Sequence, residues 1–268
     1  SGVRAQLHPG EPPPRWGGIM MWRGVTDGAP FLTGRTVAVA GTNAELKFVA
    51  YPISRQAERR GQARLNWVAE VMLPADQVAA IGADTADWNR RGRAQDVLPY
   101  FADWKFGWLD VPALITGAPQ ILEYPMVDRD PLPFWGQGFP RGHGRVTLLG
   151  DAAHPMYPIG ANGGSQAVID ARVLAYSLAR ALSSSGTPAD GLAAYEMARR
   201  ETVNAIVLAC RDMPADRILH TVNVRAPGGF DRVEDVLSAA ELAAFSDAYR
   251  ATTLQDVAAL NARPSLAP

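Results

Sequence analysis

The residues best suited to chemistry in this 268-residue chain lie between Arg145 and Asp170, in the run RVTLLGDAAHPMYPIGANGGSQAVID. Val146, Leu148 and Leu149 predict a short buried strand, covered on both faces, that ends at Gly150 and Asp151. Pro155, Pro158, Gly160, Gly163 and Gly164 then forbid regular structure for about a dozen residues. From Ser165 onward Ala167, Ala171, Leu174, Leu178 and Leu182 recur at three- and four-residue steps, the spacing of an amphipathic helix. A carboxylate on a strand end, followed by a glycine loop feeding a helix N-terminus, can hold a polar cofactor. The carboxylate accepts hydrogen bonds from hydroxyls, and the free N–H groups face developing negative charge. The competing reading is a plain strand–loop–helix turn, which is disfavoured because loops of this kind usually have a functional reason. His154, beside Pro155, reads as structural rather than as an acid or base.

Such a loop needs a scaffold, and the upstream chain predicts one made of strands. After a proline-rich crossover at 9–15 come strand-like segments at 19–25, 36–40, 46–53 and 64–73, rich in β-branched and aromatic residues. Leu65, Trp67, Ala69 and Val71 fall on one face and Asn66, Val68 and Glu70 on the other, as in an antiparallel sheet with one buried face. A helix is expected over 87–104, interrupted near Pro99, then a strand at 121–126 and a charged turn at 128–133. The glycine-rich stretch 136–144 reads as a tolerated surface loop, and Arg90-Arg91-Gly92-Arg93 as a solvated turn. A second amphipathic helix is expected over 190–213, with Asp190, Glu196, Glu201, Arg199 and Arg200 on a solvated face and Cys210 in the core. A last helical piece at 233–248 leads into a polar tail.

Composition narrows the function classes. Hydrophobic residues make up 47% and charged residues 20%, which is ordinary for a globular protein, and the net charge of −1 carries no nucleic-acid or polybasic membrane signature. No apolar run approaches the roughly 18 residues of a membrane span. The single cysteine, Cys210, rules out an internal disulfide framework and fits a reducing cytoplasm. His8, His143, His154 and His220 are scattered, so neither a metal site nor a nucleophilic triad is expected.

The run Gly150-Asp151-Ala152-Ala153-His154-Pro155, with Pro158, Gly160 and the turn Ala161-Asn162-Gly163, closely resembles the second flavin-binding motif of the single-component FAD-dependent aromatic monooxygenases, the p-hydroxybenzoate hydroxylase-like family. Further similarity at Gly17-Gly18 with Met21-Trp22-Arg23-Gly24, at Tyr51-Pro52-Ile53, Asn66-Trp67-Val68 and Asp96-Val97-Leu98-Pro99, and at Tyr124 to Asp130, points to one branch. That branch contains the phenazine-modifying monooxygenase of pyocyanin biosynthesis. The similarity covers roughly residues 1–210, and the tail after Met213 lies outside it.

The resemblance implies FAD as cofactor, NADPH or NADH as co-substrate, and hydroxylation of an electron-rich, fused-ring or bicyclic aromatic. It places Asp151 on the ribityl hydroxyls, Gly150 at the strand end, and Gly160, Ala161, Asn162 and Gly163 along the flavin ring. Pro158 would line the face where oxygen and substrate meet, and is the single residue assigned a catalytic place. Ser1-Gly2-Val3-Arg4 resembles the tail of the family's middle motif, so Arg4 is a candidate for the flavin and nicotinamide side of the site, with a surface salt bridge as the even alternative. For the substrate wall the candidates are Trp22, Tyr51, Trp67, Tyr124 and Met126, since aromatic and apolar walls suit a flat ligand, although a core role is at least as good a reading for each.

The family's opening G-x-G-x-x-G turn does not occur in this sequence. The expectation is therefore the C-terminal part of a longer enzyme, its partner being an N-terminal FAD-binding segment on the same or a separate chain, with a homodimer left open. The fold class expected is α/β with α+β mixing: an incomplete Rossmann-like FAD-binding domain plus a mainly antiparallel-sheet substrate domain. Residues 1–15 would be a remnant of the FAD domain, 16–135 the sheet domain, 136–213 the second half of the FAD domain and 214–268 a helical tail. The alternative is a flavin-incompetent remnant, or one half of a split flavoprotein, acting as a binding domain. A flavin-dependent halogenase is disfavoured because its W-x-W-x-x-I-P signature is absent and Trp104-x-x-x-Trp108 does not replace it.

Overall fold

Alternation of apolar and polar residues along the first half of the chain produces a six-stranded sheet. A computed structural model describes residues 1–81, 87–136, 145–212, 216–253, 261–262 and 266. The strands are β1 (Arg15–Gly28), β2 (Ala38–Gly41), β3 (Leu46–Pro52), β4 (Ala63–Met72), β5 (Arg91–Gly92) and β8 (Ile121–Asp128), in the order β2-β3-β4-β1-β8-β5. The pairs β2/β3, β3/β4, β4/β1 and β5/β8 are antiparallel. A separate two-stranded ribbon joins β6 (Lys105–Phe106) to β7 (Leu109–Asp110). The helices are α1 (Gly2–Leu7), α2 (Arg55–Glu58), α3 (Ala75–Ile81), α4 (Ala94–Phe101), α5 (Val111–Thr116), α6 (Asn162–Ser183), α7 (Pro188–Arg211), α8 (Arg217–Arg225) and α9 (Ala239–Thr253).

The chain divides into two compact units: Trp16–Met126 with Leu219–Pro227, and Ser1–Arg15 with Val127–Ile218 and Gly228–Pro268. The first is the sheet unit. Met20, Trp22, Phe48, Ala50, Leu65, Trp67, Ala69 and Val71 bury one face of the sheet against Val97 and Phe101 of α4 and Val111, Leu114 and Ile115 of α5. Phe48 stacks on Trp67 with ring centroids 5.8 Å apart and meets Phe101 edge-on at 5.7 Å. Asp110 caps α5 by accepting from the Ala113 N–H, and Pro112 occupies its first turn.

The second unit is built on α6 and α7. Leu7, Leu132, Trp135, Leu148, Ala153, Val173, Tyr195 and Val203 form its core. Thr187 and Asp190 close a reciprocal capping box ahead of α7, with Pro188 at the first helical position, which fixes where that helix starts.

Several expectations are corrected. Residues 146–149 are extended but do not form a strand: no described strand lies alongside them, and Val146 and Leu149 are exposed while Leu148 is buried. Their one backbone bond to the preceding segment runs from the Leu148 N–H to the Trp135 carbonyl. The solvated turn at 90–93 contains edge strand β5, paired to Leu122 and Ile121. The helix expected over 87–104 is limited to α4, which keeps Pro99 inside it. Helix α6 begins at Asn162 rather than Ser165. Glu196 and Arg199, placed on a solvated face of α7, are buried. The expected surface loop at 136–144 lies outside the described residues except for Gly136.

Candidate cofactor site

The site begins at a tight turn. Gly150 to Ala152 form one turn of 3-10 helix, and Gly150 sits in the left-handed region at φ +56°. A side chain at Gly150 would be strained there and would also bring its Cβ to 3.2 Å from the Ala167 Cβ. The turn leaves Asp151 exposed, and its carboxylate makes no hydrogen bond to any described residue. One oxygen of Asp151 stands 4.0 Å from where a Cβ on Gly163 would lie. The structure therefore brings Asp151 to the N-terminal end of α6.

That helix end is open. Ala161, its N-cap, provides no side-chain hydrogen bond, and the first turn holds no acidic residue. Gly160 and Ala161 are both left-handed, at φ 71° and 54°. For alanine this costs on the order of 1 kcal/mol, strain of the kind that collects at ligand sites. Consecutive left-handed residues ahead of an uncapped helix leave backbone N–H groups, rather than side chains, to face whatever occupies the site. Pro158 and Ala161 are exposed at this loop, and Gly160 and Gly163 are half-buried.

The Asn162 side chain does not face the open helix end. Only 1% of it is exposed, and its side chain turns inward, with Nδ2 3.5 Å from the Ile159 carbonyl and 4.0 Å from the Cys210 Sγ. Any contact it makes with a ligand falls to its backbone. Cys210 is a buried core residue, as expected, and burial pushes its thiol pKa up.

Arg4 is neither a surface salt bridge nor open to a ligand. It is 4% exposed; its Nε and Nη2 donate to Glu11, and its Nη1 donates to the carbonyls of Ala152 and Ala153 at 3.0 and 2.9 Å. Despite the burial of Glu11, which acts the other way, the Arg4 guanidinium holds the Glu11 carboxyl below its ordinary range. Arg4 thus ties helix α1 to the turn that carries Asp151. Reading the sequence missed Asp170, Arg199 and Gln166, which are buried beneath that turn. A signal was present: Gln166 and Asp170 are four apart on one face of α6, and Arg199 falls in step with Leu192, Tyr195 and Val203 on the apolar face of α7.

The five substrate candidates do not form one wall. Trp22 and Trp67 lie in the aromatic core on the helix-covered face of the sheet. There the Trp22 Nε1–H donates to Glu123 at 3.0 Å and the Trp67 Nε1–H donates to the Thr26 hydroxyl at 3.1 Å. Tyr51 alternates with the buried-face residues Ala50 and Pro52, and pairs in register with Asn66 on the opposite face from Trp67. Tyr51 and Tyr124 are half-buried, Tyr124 packs edge-on against Trp88 at 5.3 Å, and Met126 is 1% exposed. Among the described residues no group of three or more His, Cys, Asp or Glu is arranged to hold a metal, and no helix is long and apolar enough to cross a membrane.

Comparison with known proteins places this geometry. Residues 140–209, which contain the Asp151 turn, α6 and nearly all of α7, match the model of the FAD binding domain. The phenazine 1,6-dicarboxylic acid hydroxylase PhzS of Lysobacter antibioticus is 49% identical over 222 residues, covering 82% of this chain and 51% of that protein. Most of this chain is therefore homologous to that hydroxylase. The aurachin C monooxygenase/isomerase of Stigmatella aurantiaca is 34% identical over 209 residues, 77% of this chain and 46% of that protein. The chain thus spans about half the length of the curated relatives it matches. Klebsiella pneumoniae HpxO, solved with FAD and uric acid, superposes with a TM-score of 0.58 at 22% identity, over 97% of this chain and 55% of that one. A salicylate hydroxylase substrate complex gives 0.57 at 22%, over 95% and 59%. At these identities the solved structures speak for the fold, which is the mixed helix and antiparallel sheet described above. The stretch that matches the FAD binding domain includes the residues that form the open α6 terminus.

Proposed function

We propose that the chain forms the part of an FAD- and NAD(P)H-dependent monooxygenase that holds the flavin ring and its ribityl chain, and that the enzyme hydroxylates a small electron-rich aromatic. The observation that carries this is the exposed Asp151 carboxylate set beside an uncapped, left-handed entry to α6. Asp151 accepts hydrogen bonds from ribityl hydroxyls, and the backbone N–H groups of Asn162 and Gly163 face the electron-rich edge of the ring. FAD held there supplies the redox chemistry that transfers one oxygen atom of O₂ to the substrate at the expense of NADPH or NADH. The protein's own residues bind, orient and exclude water: Pro158 and Ala161 border the ring, and Gly150 and Arg4 fix the turn. Trp22 and Trp67 serve this function only by holding the sheet together.

Gly164, Val168, Ala171, Ala175 and Leu182 form an exposed apolar stripe along α6, with Val168 72% and Leu182 57% exposed. A face of this kind packs against more polypeptide. We assign it to a segment carrying the pyrophosphate-binding G-x-G-x-x-G turn, on the same or a separate chain. The test is titration of the purified chain with FAD, followed by flavin fluorescence and the visible spectrum after desalting. The expected outcome is retained flavin bands that Asp151→Ala weakens by about tenfold or more. Equal binding by wild type and Asp151→Ala would sink the assignment.

A further inference from the structure

Beneath the Asp151 turn lies a set of buried polar side chains that the proposed cofactor contacts do not use. Asp170 is completely buried; its Oδ1 accepts from the Arg199 Nε at 2.9 Å, and its Oδ2 accepts from the Gly150 N–H at 3.1 Å and faces the His154 Nε2 at 2.5 Å. Arg199 Nη2 in turn donates to the Gln166 Oε1 at 2.6 Å. Burial acts to raise the Asp170 pKa, but hydrogen bonds from His154 and Arg199 outweigh it and hold the carboxyl below the ordinary range. An ionised carboxylate only accepts, so Nε2 of His154 carries the hydrogen. The other ring nitrogen, Nδ1, is buried and has no hydrogen-bond partner among the described residues.

The backbone closes the same loop. The Gly150 carbonyl accepts from the N–H groups of Ala153 and His154 at 2.8 and 2.9 Å, so both ends of the turn that presents Asp151 converge on Asp170. One end arrives through the Gly150 N–H and the other through the imidazole. A histidine present only for packing would not need one ring nitrogen fixed on a carboxylate at the cost of leaving the other unsatisfied. We propose that His154 is a positioning residue for the cofactor: its Nε2–H, anchored on the Arg199-neutralised Asp170, sets the orientation of residues 150–154 and thereby of the Asp151 carboxylate. This rests on the assignment of Asp151 as a flavin contact.

The rival account is simple packing of the imidazole against Trp135, whose ring lies 5.5 Å away. The two accounts differ in which atom matters. His154→Gln keeps an N–H near the Nε2 position and dispenses with Nδ1. His154→Asn places its amide near Nδ1 and cannot reach Asp170. His154→Leu fills space without donating. With the full chain, the measurements are the FAD dissociation constant from flavin fluorescence, the melting temperature without FAD, and the histidine ring ¹⁵N shifts of the wild type.

The expected result is a His154→Gln dissociation constant within about threefold of wild type, with His154→Asn and His154→Leu weaker by about tenfold or more. The ring shifts should place the hydrogen on Nε2, and the Gln and Asn variants should melt within a few degrees of each other without FAD. Equal dissociation constants for the three variants, better rescue by Asn than by Gln, or a hydrogen on Nδ1 would overturn the inference. A loss of affinity in Asp151→Ala without one in His154→Leu overturns it alone and leaves the FAD assignment standing. A wild type that binds no FAD overturns both.

Discussion

The sheet unit and the α6–α7 unit solve the problem of holding a side chain in place in different ways. In the sheet unit the fixed parts are large rings, Phe48, Trp67, Trp22 and Phe101, whose polar atoms are few and mostly satisfied within the unit. Beneath the Asp151 turn the fixed parts are charges: Arg4 on Glu11 and on two carbonyls, and Arg199, His154 and the Gly150 N–H on Asp170. Apolar burial is non-directional and tolerates small shifts, so it suits a scaffold. Charge-assisted hydrogen bonds are short and directional, so they suit a turn whose exposed carboxylate has to point one way. Buried ion pairs add little net stability over well-packed apolar groups, which fits a role in placement rather than strength.

The largest expected effect lies in the sheet. Trp67→Ala removes a side chain with no exposed surface and should cost about 4–5 kcal/mol of unfolding free energy, read by denaturant titration. A loss under about 1 kcal/mol would mean that the sheet is not held by its aromatic core. Next comes Asp170→Ala, which leaves Arg199 buried without its carboxylate and should cost about 3 kcal/mol. The comparison sharpens with the double variant Asp170→Leu and Arg199→Met, which should recover most of that stability yet leave FAD affinity impaired. Full recovery of both would show that the charges do no positioning.

Acidification acts on the buried carboxylates of the α6–α7 unit. Asp170 and Glu11 have folded pKa values held below the ordinary carboxylate range. Their contribution is therefore complete above the unfolded values of about 4 and is lost as pH falls through the lower folded values. Tryptophan fluorescence and backbone hydrogen exchange at low pH should show the α6–α7 unit opening before the aromatic core of the sheet. Simultaneous loss would contradict the comparison. The smallest effect belongs to the exposed pair Arg93 and Asp96: Arg93→Ala should leave the melting temperature unchanged at low and at high salt despite its two good hydrogen bonds, and a clear drop would contradict this.

Local pattern was legible where one face of an element meets one environment. The alternation at 64–73 foretold β4 and which of its residues face the core, because a strand's side chains alternate whatever surrounds it. The glycine and proline spacing after Asp151 foretold an irregular loop ahead of a long helix, since only particular backbone conformations admit those residues. The extended run at 146–149 reads as a buried strand by composition, but a strand exists only through a neighbour's hydrogen bonds, and none of the described strands supplies them. The substrate candidates could not be sorted for a related reason: aromatic residues suit a core and a ligand wall equally well, and only the register of β1, β3 and β4 put Trp22 and Trp67 on one face and Tyr51 on the other.

The sequence by itself determined the residues that repeat or permit backbone conformations: the strands' faces, the helix periods, and the glycine and proline spacing from Gly150 to Gly163. These follow from local sterics and from spacing along one chain. Tertiary structure alone decided that Arg4 grips the Asp151 turn from 148 residues away, that Asn162 turns inward, and that Arg199 leaves the solvated face assigned to it to meet Asp170. A charged side chain carries no mark of whether it ends in water or on a buried partner. That outcome depends on which distant segment folds over it, and on whether that segment offers the opposite charge that makes burial affordable.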